Sequence, residues 1–180
     1  GGLLIAVWVV KEQAQATFTQ ANTGFDAVLG ARGSKLQLVL NTVFHLEASP
    51  GNITAADYDV IRRHPAVKLA VPIAVGDNLR GYRIVGTIPG FFTEAEPEPD
   101  QKFQFAAGRL FDPAKREAVV GNFAASQLGL KVGDTFRPFH GLNYDVRAEH
   151  EETYTVTGIL APSNTPADKV VWIPLAGVQT

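Results

Sequence analysis

Hydrophobic positions open the chain in an unbroken run, Gly1-Gly2-Leu3-Leu4-Ile5-Ala6-Val7-Trp8-Val9-Val10, which Lys11-Glu12-Gln13 ends. Ten such residues fall short of the roughly 20 needed to span a bilayer. A secretory signal would need a basic start and a small-residue cleavage site, and neither is there. Beyond the run, Val7, Val10, Ala14, Phe18 and Ala21 share one helical stripe, with Lys11, Gln13, Gln15 and Gln20 off it. The pattern predicts a helix, read either as an N-terminal core helix or as the outer end of a transmembrane helix. In the second case it runs on as an amphipathic stalk over 1–22, with Trp8 near the interface. Gly24 suits the left-handed cap that would stop it.

Alternation then takes over. Phe25 to Leu29 predicts a short strand, and Gly30-Ala31-Arg32-Gly33-Ser34-Lys35 a glycine turn ahead of an apolar segment from Leu36 to Leu46 that can form a helix. The turn is no phosphate loop: only two residues separate its glycines, and Ser precedes Lys. Thr54 is placed to cap a helix over 55–63, with Asp57 in its first turn, Arg62, Arg63 and His64 at its end, and Pro65 forbidding continuation. Val67 to Val75 predicts a strand, Gly76-Asp77-Asn78 a turn, and Leu79 to Val85 the antiparallel return.

An internal echo organises the rest. Tyr82-Arg83-Ile84-Val85-Gly86-Thr87-Ile88-Pro89 recurs in outline as Tyr154-Thr155-Val156-Thr157-Gly158-Ile159-Leu160-Ala161-Pro162. Nothing else matches at that offset, so a two-fold repeat is not supported. Between the echoes lie strand signals at 118–120, 135–137 and 154–156, a helix over 123–128 and the turn Lys131-Val132-Gly133-Asp134. The chain returns through Val170-Val171-Trp172-Ile173-Pro174. The expected organisation is a lobe of 23–86 plus 161–180 and an inserted, mainly β lobe of 87–160. Paired strands around Gly86 and Gly158 would join them, with glycine and proline supplying bends.

Composition narrows the function. The 180 residues carry 16 Lys+Arg against 18 Asp+Glu, a net charge of -2, so no broad basic field favours nucleic acid. With no Cys, thiolate metal sites, thiol nucleophiles and disulfides are excluded. The first residue is not Met, so a fragment or processed chain is expected.

Candidate chemistry is thin. Thr93-Glu94-Ala95-Glu96-Pro97-Glu98-Pro99-Asp100 holds its carboxylates apart with prolines, as an extended solvated loop does. Arg147-Ala148-Glu149-His150-Glu151-Glu152, with His140 ten residues earlier, fits a charged hairpin tip before the Tyr154 strand, or a carboxylate–histidine site. His45 and His64 have no third ligand in view. None of Ser34, Ser49, Ser126 and Ser163 lies in Gly-x-Ser-x-Gly. The expectation is therefore no catalytic residue, no cofactor and no metal. The alternatives are a secreted metal-dependent hydrolase using His140 and His150 with nearby glutamates, or a soluble ligand-binding module.

Several segments together carry a resemblance. They are the apolar helix tail leading into Gly24-Phe25-Asp26-Ala27-Val28-Leu29-Gly30-Ala31-Arg32-Gly33-Ser34, then Gly108-Arg109-Leu110-Phe111 and Glu117-Ala118-Val119-Val120-Gly121. The turn Leu128-Gly129-Leu130-x-Val132-Gly133-Asp134-Thr135, the Tyr154 strand and Val170-Val171-Trp172-Ile173-Pro174-Leu175 complete the series. In order and spacing the chain resembles the extracytoplasmic core domain of FtsX-like, MacB-type ABC transporter permeases. The resemblance implies an α+β fold, a porter-like lobe with a smaller inserted lobe, placed between the first two transmembrane helices on the periplasmic face. It also implies an inner-membrane anchor, ATP hydrolysis in a separate nucleotide-binding subunit, a second permease copy, and contact with a periplasmic adaptor or a lipophilic or protein cargo. It carries no catalytic residues over.

Overall fold

The computed structural model describes residues 25, 27–31, 35–42, 44, 51–95, 102–139 and 152–178. The expected stalk over 1–22 lies outside them. Among the described residues, no helix is long and apolar enough to cross a membrane. Helix α1, Lys35–Thr42, occupies the first part of the apolar 36–46 segment. No strand forms at 27–29; Leu29 is exposed there, and Phe25 instead stacks on Phe91 with ring centroids 6.3 Å apart.

Helix α2, Ala55–Arg62, starts as its sequence dictates. The Thr54 hydroxyl accepts from the Asp57 N–H at 3.1 Å, and the Asp57 carboxylate accepts from the Thr54 N–H at 3.2 Å, a reciprocal capping box. The strand expected over 67–75 begins only at its end, because Pro72 lacks a ladder donor. Strands β1, Ala74–Leu79, and β2, Tyr82–Thr87, form an antiparallel hairpin. Its turn is Arg80-Gly81, with φ of 49° and 93°, and the Asn78 side-chain oxygen accepts from the Gly81 N–H at 2.6 Å. Two positive φ values in a two-residue loop match the twist of the flanking strands. The expected turn at Gly76-Asp77-Asn78 is thus corrected: those residues lie in β1, where the register shifts between Val75 and Asn78.

The remaining elements are α3 (Gly90–Thr93), β3 (Phe105–Gly108), β4 (Glu117–Val120), α4 (Asn122–Leu128), β5 (Thr135–Phe136), β6 (Tyr154–Leu160) and β7 (Val171–Pro174). Short 3₁₀ turns at Pro166–Lys169 and Leu175–Val178 flank β7. The sheet is mixed, in the order β1-β2-β7-β4-β6-β3, with β5 also on β6. This is the expected α+β class. The strands around Gly86 and Gly158 share this sheet without pairing to each other, since β7 and β4 lie between them.

Period-two alternation buries both faces of the central strands. Ile84, Ala118, Val120, Val156, Val171 and Ile173 face one core, which Ala124 and Ala125 of α4 cover. Val85, Val119, Leu160 and Trp172 face the other, beneath Phe92, Phe103 and Phe111. There Phe91 lies 4.6 Å from Trp172 between centroids, and Phe92 meets Trp172 edge-on at 5.7 Å. The spans 23–86 plus 161–180 and 87–160 meet directly where β7 pairs with β4, Val119 opposite Trp172 and Val120 opposite Val171. All four of these residues are fully buried.

Candidate functional site

The titratable groups were the first candidates. His45, His140 and His150 lie outside the described residues. Glu152, at the edge of that cluster, pairs with Arg116 at 2.7 Å. His64 sits past the end of α2, its Nδ1 accepting from the Ala66 N–H at 3.2 Å, a local turn bond. Among the described residues, no three His, Asp or Glu side chains are grouped to hold a metal.

Ser163 is built into a loop. Its hydroxyl donates to Asp168 at 2.7 Å, while the backbone N–H groups of Ser163 and Asn164 converge on the same carboxylate. That knot precedes the turn in which the Ala167 carbonyl accepts from the Trp172 indole at 3.3 Å. Such bonds order the approach to β7 and hold the hydroxyl within the turn.

Glu117 is the strongest electrostatic feature. Arg109 grips its carboxylate through both terminal nitrogens at 2.7 and 2.8 Å, and the Asp112 N–H adds a third bond at 2.8 Å. The Arg109 bonds hold the Glu117 pKa down to about 2, against partial desolvation, with the Asp112 N–H lowering it further. A carboxylate so firmly ionised is no proton donor near neutral pH. Its role is to tie the segment after β3 to the start of β4.

A concavity lies at one end of the sheet. It is a groove of about 710 Å³ between the β1–β2 tip, the end of α4 and β5. Leu79, Leu128, Leu130, Phe136 and Phe139 supply its apolar lining, with Arg80 and Arg137 on its walls. Leu79 and Phe136 belong to the first core, so this groove is an open extension of it. Beside it, Tyr82 contacts Phe123 of α4 with centroids 6.4 Å apart, and the Lys169 ammonium lies 5.5 Å from the Phe123 ring centre. Phe123 is 44% exposed. Chemically this end offers apolar contact rimmed by fixed positive charge, a binding surface in character.

Sequence reasoning singled out none of Arg80, Phe123 and Arg137 as functional. The signal that marks Arg80 is the Arg-Gly pair between two alternating runs, at a turn position that favours Asn, Asp or Gly. Phe123 and Arg137 carry no comparable local mark, because only the closure of the sheet brings their elements together.

A family model of MacB-like periplasmic core domains matches residues 2–180. Among solved structures, the extracellular domain of the noncanonic ABC-type transporter YknZ from Gram-positive bacteria is similar to this chain. It is 16% identical over 83% of this chain and 73% of that one, with a TM-score of 0.49. No curated protein matches the chain.

Proposed function

The chain belongs to the MacB-like periplasmic core domain family, and from that premise we propose that it transmits ATP-driven motion to cargo or partner proteins outside the membrane. In this reading it is a non-catalytic part of a permease anchored in the cytoplasmic membrane, working as one of two copies with a separate ATPase subunit. The observation that carries the reading is the family match along nearly the whole chain. A sheet with both faces packed supports a mechanical role, since a close-packed core passes displacement on instead of absorbing it.

The division into 23–86 plus 161–180 and 87–160 is part of the proposal. Relative movement of these parts would work at the β7–β4 seam and at the contact between Asn78 and Phe139, where backbone bonds join them. Movement of that kind does work only if cargo or partner contacts differ between the two states.

Placement and mechanism are tested together in the full transporter. The chain contains no Cys, and Val60 is 71% exposed, so Val60→Cys gives this domain a single accessible thiol. Labelling in intact cells by a membrane-impermeant maleimide is expected; protection until the membrane is broken would overturn the extracytoplasmic placement. A second variant, Asn78→Cys with Phe139→Cys, locks the parts together when oxidised. Transport should fall on oxidation and recover on reduction, and unchanged transport with the disulfide formed would exclude movement between the parts.

A further inference from the structure

The end of the domain formed by the β1–β2 tip and α4 carries more than an accidental hollow. Two cations stand on its walls from separate elements, Arg80 from the hairpin tip and Arg137 after β5, and a third, Lys169 before β7, lies over the ring of Phe123 on the same helix as Leu128. Among the described residues the ion pairs engage Arg62, Arg63, Arg109, Lys115 and Arg116, and none of these three. The carboxylates nearest in sequence are otherwise placed. Asp77 is buried within β1, Asp134 accepts from the Lys131 N–H at 2.8 Å, and Asp168 accepts from Ser163 and Asn164. Among the described residues Arg137 has a single side-chain bond, to the Thr153 hydroxyl at 3.4 Å.

The apolar part is equally specific. Phe123 stands out from α4 although Tyr82 and Leu128 beside it pack down onto the core. An exposed aromatic under a lysine, beside an apolar groove with two arginines on its walls, has the make-up of an interface centre, where aromatics and arginine are enriched. Arg80 adds an independent indication. It holds a left-handed backbone conformation, φ 49°, which a β-substituted residue adopts at a cost. A non-glycine residue kept in such a conformation points to a use for its side chain.

We infer that this end of the domain is a docking surface for an acidic, aromatic-bearing segment of a partner polypeptide. An apolar side chain of the partner would lie against the Leu128–Leu130 wall with its carboxylates on Arg80 and Arg137, and a further aromatic–acidic step of the segment would meet Phe123 and Lys169. Arginine suits that task because its planar fork binds a carboxylate through two bonds. The inference rests on the reading of this chain as a domain that meets partners outside the membrane, and supplies the chemistry of one such partner.

The test uses the full permease and a labelled peptide of alternating glutamate and phenylalanine. Saturable binding that weakens as salt rises is expected. Arg80→Asn, Arg137→Gln and Phe123→Ala should each weaken it roughly tenfold or more. Asn is favoured at the turn position, so Arg80→Asn removes the charge without disturbing the hairpin. Arg63→Gln, on the exposed end of α2, should leave binding unchanged. Absence of peptide binding overturns the inference, as does equal binding by the three variants. Binding to phosphatidylglycerol vesicles without binding to peptide also overturns it, since the surface would then serve a lipid. Peptide binding that appears only after Glu149→Gln and Glu151→Gln would assign the surface to the chain's own 140–151 segment, against the inference. If Val60→Cys is labelled from outside while the peptide fails to bind, the transporter reading stands and this surface assignment alone falls.

Discussion

Asn78 and Phe139 exchange both of their backbone hydrogen bonds, N–H to carbonyl in each direction, at 3.0 and 3.1 Å. Asn78 lies in β1, at one end of the strand order, while Phe139 follows β5, which pairs with β6 near the other end. The exchange therefore closes a circuit of backbone pairing through β1, β2, β7, β4, β6 and β5. Asn78 contributes twice, because its side chain also fixes the hairpin turn through Gly81. Phe139 is 2% exposed and anchors the closure by burial.

Truncating that anchor should loosen the closure. Phe139→Ala is expected to cost about 3 kcal/mol, the usual scale for deleting a buried aromatic ring. Denaturant unfolding gives the total loss, and amide exchange at Asn78 should accelerate more than at Val120, which lies in the centre of the sheet. Equal acceleration at both sites would mean that the closure has no local opening of its own.

Acid sensitivity should centre on Glu117. Its pKa is lowered from 4.5 to about 2 by the Arg109 bonds first, so the folded state binds the proton more weakly than the unfolded state does. The stabilisation is therefore fully present above pH 4.5 and is lost as pH falls from there towards 2. Glu117→Gln removes the charge and should destabilise the protein at neutral pH by about 1–3 kcal/mol, the scale of a charged hydrogen-bond partner. The gap between the variant and the parent protein should then narrow as pH falls through that window. A gap that stays constant with pH would show that packing, not charge, sets the loss.

Much of the sheet was legible in the sequence. Val119, Val120, Val171 and Trp172 sit in short apolar runs, and runs of that kind form strands buried on both faces. The Thr54–Asp57 cap is likewise local chemistry. The tip of the first hairpin was misplaced because Gly76-Asp77-Asn78 looks more like a turn than Arg80-Gly81 does. Register in that hairpin is decided by Leu79 opposite Tyr82 and by the Asn78 side-chain bond, which are tertiary facts. β3 escaped notice because Phe105-Ala106-Ala107-Gly108 has little alternation, and it forms only because β6 offers it an edge. The basic end of the domain was illegible for the same reason: Arg80, Phe123 and Arg137 come together only when the circuit closes.

Two glycines separate crowding from backbone strain. A Cβ on Gly121 would lie within contact distance of the Ala167 carbonyl oxygen and the Asp168 backbone, at an ordinary extended φ of -61°. Gly129 has φ 68° with nothing within 4 Å of the Cβ position. Gly121→Ala should therefore cost about 2–3 kcal/mol through displacement of the turn before β7. Gly129→Ala should cost only about 1 kcal/mol, the left-handed penalty. Chemical denaturation of both variants checks the order, and a larger loss at Gly129 would contradict the packing around Gly121.

Arg80 carries the last prediction, because there stability and binding are expected to move in opposite directions. Its φ of 49° is one that Asn tolerates better than Arg, since a short amide side chain can hydrogen-bond locally in the left-handed region. Arg80→Asn should raise the unfolding free energy by about 0.5–1 kcal/mol, the usual gain from a turn substitution that matches its backbone. The same change removes one of the two arginines on the groove walls and should weaken acidic-peptide binding. A stability gain together with a binding loss means the arginine is held in a costly conformation for its side chain. If stability instead falls, the residue contributes packing at the groove wall that the backbone cost does not outweigh. Urea midpoints and peptide titrations on the same preparation read both quantities, and the contrast with Arg137→Gln, which relieves no such backbone cost, isolates the effect of the turn.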